Sequence, residues 1–228
     1  MLWTNIFAGF GGQGVLLIGQ LLAYAGMYEG KNVSWLPSYG PEMRGGTANC
    51  SVVVSDEPVA SPVINKCDCV IAMNRPSLDK FEQNVLPGGK LFINSSIIDK
   101  KATRTDIDVY YVPCNEIADK LNNPKVANMA MLGAYLEATK AVQTKSVLDA
   151  LLYKLGEKKA ALIPLNEEAI EAGAASIRKY SGFFLIFFKL STGLCSDVAQ
   201  LMNPCRTAQP QIRLCGALFI FDSALHRY

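Results

Sequence analysis

The chain has 228 residues, half of them hydrophobic and 18% charged, which excludes a wholly disordered polypeptide and leaves room for one well-cored domain with or without an appendage. Lys and Arg number 22 against 20 Asp and Glu, a net charge of +2. That balance suggests neither nucleic acid nor an anionic membrane surface as a partner.

In chain order, Ile6–Gly9 reads as a short buried strand. Gly11, Gly12 and Gly14 follow, then a helix over Val15–Tyr28 that stops at Gly30. Asn32–Leu36, Cys50–Ser55 and Val70–Met73 read as the second to fourth strands. A short helix is predicted over Ser77–Asn84 with Ser77 as its N-cap. Pro87-Gly88-Gly89 reads as a turn, with strands at Lys90–Asn94 and Val109–Val112 after it. Helices are predicted at Glu116–Leu121, Ala127–Lys140, Ser146–Leu155 and Asn166–Lys179, the last opening on Asn166 with Glu167 and Glu168 at the positive end of its dipole. Short apolar strands alternating with helices predict an α/β domain with a mostly parallel sheet covered on both faces.

The seven cysteines, Cys50, Cys67, Cys69, Cys114, Cys195, Cys205 and Cys215, are odd in number, and no signal-peptide pattern opens the chain. Reduced thiols of a cytoplasmic protein are the simplest reading. Cys67-x-Cys69 is too tight for zinc or iron–sulfur spacings, and a single histidine, His226, argues against a histidine-based triad.

Gly9-Phe10-Gly11-Gly12-Gln13-Gly14 follows a strand and opens a helix, where glycine allows a tight turn and free N–H groups can face an anion. A dinucleotide site would add an acidic residue after the second strand, but the chain there reads Ser34-Trp35-Leu36-Pro37. A tight strand–helix turn packed on the sheet fits the same residues. The stretch from Pro37 to Asn49 carries Ser38, Tyr39, Glu42, Met43, Arg44, Thr47 and Asn49 between the breakers Gly40-Pro41 and Gly45-Gly46. It follows the carboxyl end of a strand, where open α/β sheets place ligands, and Arg44 could grip a carboxylate or phosphate. A long loop buried in a subunit interface is the alternative.

These residues resemble a family. The glycine turn with Val15, the run Ser34–Ala48, Pro58 to Pro62, Asn74-Arg75-Pro76-Ser77, Phe92–Ser96 and Asn128–Ala134 are together similar to the gamma subunit of 2-oxoacid:ferredoxin oxidoreductases over about residues 5–178. The likeness is nearest the 2-oxoglutarate type, with branched-chain and pyruvate types next. It implies a non-catalytic share in a larger reaction: oxidative decarboxylation of a 2-oxoacid to an acyl-coenzyme A, with electrons passed to ferredoxin. It further implies alpha and beta subunits as partners, joined in some complexes by a ferredoxin-like delta subunit. The chain has no Gly-Asp-Gly and no cluster-spaced cysteines, so thiamine diphosphate, magnesium and iron–sulfur clusters are expected on those partners. Gly9, Gly11, Gly12, Gly14, Ser38, Tyr39, Arg44, Gly45 and Gly46 are the expected active-site-facing residues, receiving coenzyme A, with Asn94 and Ser95 as further candidates. A self-sufficient nucleotide-binding dehydrogenase and a scaffold that binds no ligand are the competing functions.

The family pattern, the balanced charge and the last expected helix all finish near Tyr180, giving a domain over 1–180 and an atypical apolar tail over 181–228, expected to be poorly ordered. The apolar run Phe183–Phe188 is too short to span a membrane.

Overall fold

The computed structural model describes residues 1–38 and 47–191, with side chains assigned up to Arg178 except at Thr47, Glu157 and Lys158. Tyr39, Arg44, Gly45 and Gly46, and the tail from Thr192 onward, lie outside the described residues.

Six strands form one sheet: β1 (Leu2–Phe10), β2 (Asn32–Ser38), β3 (Thr47–Ser55), β4 (Cys67–Ala72), β5 (Val85–Asn94) and β6 (Asp108–Val112). Their order is β2-β3-β1-β4-β5-β6. The pairs β1/β4, β4/β5 and β5/β6 are parallel, whereas β3 runs antiparallel to both β1 and β2. Five strands therefore share a direction and β3 alone opposes them. The expected mostly parallel sheet is present, with a hairpin-like insertion at one side.

Two strands are longer than the apolar runs that predicted them. β1 pairs with β3 from Leu2↔Ser55 to Phe10↔Thr47, so it includes the polar Thr4 and Asn5. Buried Asn5 is accommodated because its amide donates to the Trp3 and Val52 carbonyls at 3.2 and 3.0 Å and its Oδ1 accepts from the Tyr135 hydroxyl at 2.9 Å. Pro87-Gly88-Gly89 does not end a strand but lies inside β5. The register steps from Cys67↔Val85 to Cys69↔Lys90, and the bulge is absorbed by Gly88 at φ 75°.

The helices are α1 (Val15–Tyr28), α2 (Arg75–Phe81), α3 (Cys114–Lys120), α4 (Ala127–Thr139), α5 (Thr144–Leu155) and α6 (Ile163–Ser191). The cap of α2 is Asn74, whose Oδ1 accepts from Ser77 N at 2.9 Å; Ser77, expected as the cap, sits inside the helix. α6 starts three residues before Asn166, with Pro164 in its first turn, where a missing N–H costs nothing. It also continues past Lys179 to Ser191. By internal contacts Met1–Phe183 is one compact unit and Phe184–Tyr228 another.

Alternation along the central strands assigns the two faces. Phe7, Ile71 and Phe92 point into one cluster with residues of α1, α4, α5 and α6. Ile6, Ala8, Val70, Ala72, Leu91 and Ile93 point into a smaller cluster with Leu78 and Phe81 of α2 and Ile98 of the following loop. Glu82 is buried beneath that loop and holds it by accepting from Thr103 N and Oγ1 and from Arg104 N at 2.5–3.1 Å.

α4 is buried on nearly every side and carries one charged residue, Glu137, at its end. Its backbone meets that of α6 through two glycines. A Cβ on Gly133 would collide with the Ile170 carbonyl, and a Cβ on Gly173 with the Ala130 carbonyl. Beside this crossing Arg178 contacts Glu137 at 2.5 Å, and that guanidinium holds the Glu137 carboxyl at a pKa of about 2. Gly133→Ala and Gly173→Ala should each destabilise the domain by about 3 kcal/mol, because the obstructing atoms are backbone and cannot rotate away. Urea unfolding of each variant measures this. Gly30→Ala is the comparison, since nothing lies within 4 Å of its Cβ position and only its φ of 72° is strained.

Candidate functional site

The neighbouring parallel strands β1 and β4 send their chains to opposite faces of the sheet. β1 leads into α1 on the larger cluster, and β4 leads into α2 on the smaller one. Where such connections diverge, a crevice opens at the carboxyl ends of the strands, the usual ligand position in an open α/β sheet. The glycine turn of residues 9–14 and the buried Met73-Asn74 lie at that position, joined by the Gln13 side chain.

The turn is held by contacts within the chain. Gln13 N donates to Phe10 O at 3.1 Å. The Gln13 side chain folds back so that Oε1 accepts from Phe10 N at 2.7 Å and Nε2 donates to Met73 O at 3.1 Å. Gly9 is required because a Cβ there would lie 2.7 Å from Gln13 Oε1 and 2.8 Å from Val15 Cγ1. Gly12 and Gly14 adopt φ of 97° and 74°, a region that favours glycine. A Cβ on Gly14 would also strike the Asn128 amide, which donates to Gly14 O at 3.4 Å. Gly11 and Gly12 are exposed at the tip. Gly14 caps α1 without a side-chain hydrogen bond, and no acidic residue occupies the first turn, so the positive end of the helix dipole is uncompensated there.

Three buried polar atoms at this edge lack partners: Asn74 Nδ2, Ser77 Oγ and Asn128 Oδ1. The orientation of Asn74 is dictated by its capping bond, so its free atom is a donor. Asn128 donates to Gly14 O, so its free atom is an acceptor. Gln13, Asn74, Ser77 and Asn128 join the site through this geometry. Lone amides and hydroxyls beside apolar runs do not announce such a role in a sequence.

The remaining described candidates lie at the same edge of the sheet but not together. Ser38, exposed, ends β2 opposite Asn49, and Thr47 pairs with Phe10; Tyr39, Arg44, Gly45 and Gly46 fall outside the described residues. Asn94 ends β5 on the far side. Three strands separate β2 from β5, a distance of roughly 19 Å at the usual interstrand spacing. The Asn94 side chain is fully buried, donating to Asn115 Oδ1 at 2.9 Å and accepting from Ser96 N at 3.3 Å. Ser95 N donates to Val112 O at 3.0 Å.

The described cysteines are buried within the cores. Burial pushes the Cys50 and Cys67 thiols up to about 12 and also raises Cys69 and Cys114. Cys67 and Cys69 belong to opposite faces of the sheet, separated by the bulge between them.

An open α/β sheet with a glycine turn at its switch point is thus the class of protein the fold defines. The sequence profile of the pyruvate ferredoxin/flavodoxin oxidoreductase family matches residues 4–176, and the chain belongs to that family. It is 40% identical over 173 residues to the ketoisovalerate oxidoreductase subunit VorA of Methanothermobacter marburgensis, an alignment covering 75% of this chain but 36% of that protein. The chain therefore spans about a third of the length of that relative. It is 35% identical over 148 residues to the 2-oxoglutarate synthase subunit KorC of Methanocaldococcus jannaschii, covering 64% of this chain and 79% of that subunit. Among solved structures, the gamma subunit of the keto/oxoacid ferredoxin oxidoreductase from Geobacter sulfurreducens superposes with a TM-score of 0.65 at 29% identity, over 76% of this chain and 97% of that one. The 2-oxoglutarate:ferredoxin oxidoreductase from Magnetococcus marinus shares the fold, with a TM-score of 0.72 at 22% identity over 78% of this chain and 31% of that one. Among the described residues no helix is long and apolar enough to cross a membrane.

Proposed function

We propose that the chain is the gamma subunit of a cytoplasmic 2-oxoacid:ferredoxin oxidoreductase, and that its switch-point crevice receives coenzyme A during oxidative decarboxylation of a 2-oxoacid. The observation that carries this reading is the chemistry of the crevice, in a chain of this family. Its described surface is the exposed Gly11-Gly12 tip, with the uncompensated positive end of α1 and no acidic residue in that helix's first turn. Such a surface suits the phosphates of a long anionic ligand. The Magnetococcus marinus neighbour is described with 2-oxoglutarate, coenzyme A and succinyl-CoA bound, which fits the same assignment.

Gly11 and Gly12 at the turn tip, with the N-terminus of α1, would face the anionic part of coenzyme A. Ser38, Tyr39, Arg44, Gly45 and Gly46 would add contacts to it, with Arg44 gripping a phosphate or carboxylate. Coenzyme A supplies the thiol that accepts the acyl group. This chain orients it and excludes water. Thiamine diphosphate, magnesium and iron–sulfur clusters would reside on alpha and beta subunits and, where present, a ferredoxin-like delta subunit. Ferredoxin would take the electrons from the complex. The named relatives are subunits of enzymes for different 2-oxoacids, ketoisovalerate and 2-oxoglutarate among them; of these we propose 2-oxoglutarate, on the resemblance of the loop and turn residues.

The purified chain alone should show no 2-oxoacid-dependent reduction of a viologen dye and no cluster absorbance. Adding thiamine-binding partner subunits should produce coenzyme A-dependent reduction. Turnover by the single chain, or full turnover by the partners without it, contradicts the proposal. In the assembled complex, Arg44→Ala should raise the apparent KM for coenzyme A by roughly 10- to 150-fold, the range for losing a charge-assisted hydrogen bond. Arg44→Lys should recover little of it if the contact is a planar fork. Steady-state titration with coenzyme A measures both.

A further inference from the structure

Gln13 is the only side chain shown bridging the glycine turn and the end of β4. Its carboxamide takes the Phe10 N–H on the β1 side and gives its own N–H to Met73 O on the β4 side. Met73 is in turn tied to β1, its N–H donating to Ala8 O at 2.9 Å. The three groups close a loop across the point where the strands part. The side chain is engaged at both polar ends, with one amide hydrogen and one oxygen lone pair committed to the backbone, and Gly9 lacks a Cβ in the space that Gln13 Oε1 fills. The residues flanking Gln13 are the exposed, positive-φ Gly12 and the helix-capping Gly14, neither of which can hold a turn in shape by itself.

We propose that Gln13 is the positioning residue of this site: it sets the conformation of the glycine turn against the end of β4 and thereby the shape of the crevice, without touching the ligand. The inference rests on the reading of the crevice as the coenzyme A site. Glutamine suits the task because one planar group presents an acceptor and a donor at the spacing of two strands' backbones. Glutamate is nearly isosteric but would turn a carboxylate oxygen toward the Met73 carbonyl. Methionine keeps the bulk and loses both bonds.

The test uses the assembled complex carrying Gln13→Glu or Gln13→Met, with coenzyme A titrations and backbone amide exchange as readouts. In the unaltered complex, coenzyme A should slow exchange in residues 10–15. Both variants should assemble and leave kcat within about twofold; Gln13→Glu, which loses one hydrogen bond, should raise the KM for coenzyme A about tenfold, and Gln13→Met, which loses both, by at least as much. Exchange at Phe10 should speed up about tenfold, while the centre of β1 around Phe7 stays protected. An unchanged KM in both variants, with coenzyme A still protecting residues 10–15, overturns the role of Gln13. A fall in kcat at constant KM overturns it too, because that pattern belongs to a group acting on the reacting atoms. Failure of both variants to assemble makes Gln13 a determinant of folding and likewise overturns it. If coenzyme A does not protect residues 10–15 in the unaltered complex, the coenzyme A reading fails instead; the brace then stands or falls on exchange at Phe10 alone.

Discussion

The burial of α4 is the constraint on which the rest of the structure depends. A helix enclosed on nearly all sides has to be fixed by complementary shape and by polar bonds to its neighbours. Three such fixings occur along its length. At its start Asn128 reaches the Gly14 carbonyl where α1 begins. At its middle Gly133 lets the α6 backbone approach to contact distance. Near its end Tyr135, fully buried, donates to Asn5 in the centre of β1 and meets Phe7 and Phe92 edge-on at 5.6 and 6.0 Å. The helix thus registers β1, α1 and α6 against one another. Asn128 also braces the glycine turn at Gly14, so the core packing and the candidate site share a component.

That sharing alters how the glycines are understood. Gly9 and Gly14 make room for Gln13, Val15 and Asn128, while Gly12 supplies a backbone conformation at an open tip. The reading of the turn as a packed strand–helix connection and the reading as a ligand-facing surface are therefore compatible. Internal packing holds the turn, and the exposed tip with the end of α1 remains available to an anion. Rigid support beneath an accessible backbone is what a preorganised binding surface needs.

Much of the fold was legible in the sequence because apolar alternation and glycine punctuation are local signals. The six strands, the α1 boundaries and the mostly parallel sheet follow from them. Strand lengths were not legible, since Thr4 and Asn5 of β1 are polar and enter the sheet only because Tyr135 and the Val52 carbonyl, distant in sequence, satisfy Asn5. The cap of α2 falls at Asn74, three residues before the expected Ser77, because the two are equally good caps in isolation. The reversal of β3 was hidden too, since strand direction is decided by pairing. For the site, the carboxyl edge and the glycine turn could be anticipated, but not its centre at β1/β4, which depends on the faces to which α1 and α2 depart. Asn94 was singled out for its position after a strand, yet its amide is engaged with Asn115 and Ser96.

The central claim is that the crevice between β1 and β4 holds coenzyme A. Photolabelling of the assembled complex with a photoreactive coenzyme A analogue, followed by peptide mapping, tests it most directly. The account predicts label on this chain within residues 10–15 or 73–77, suppressed by unmodified coenzyme A. Suppressible label confined to the partner subunits, or on this chain only around β6, would contradict it.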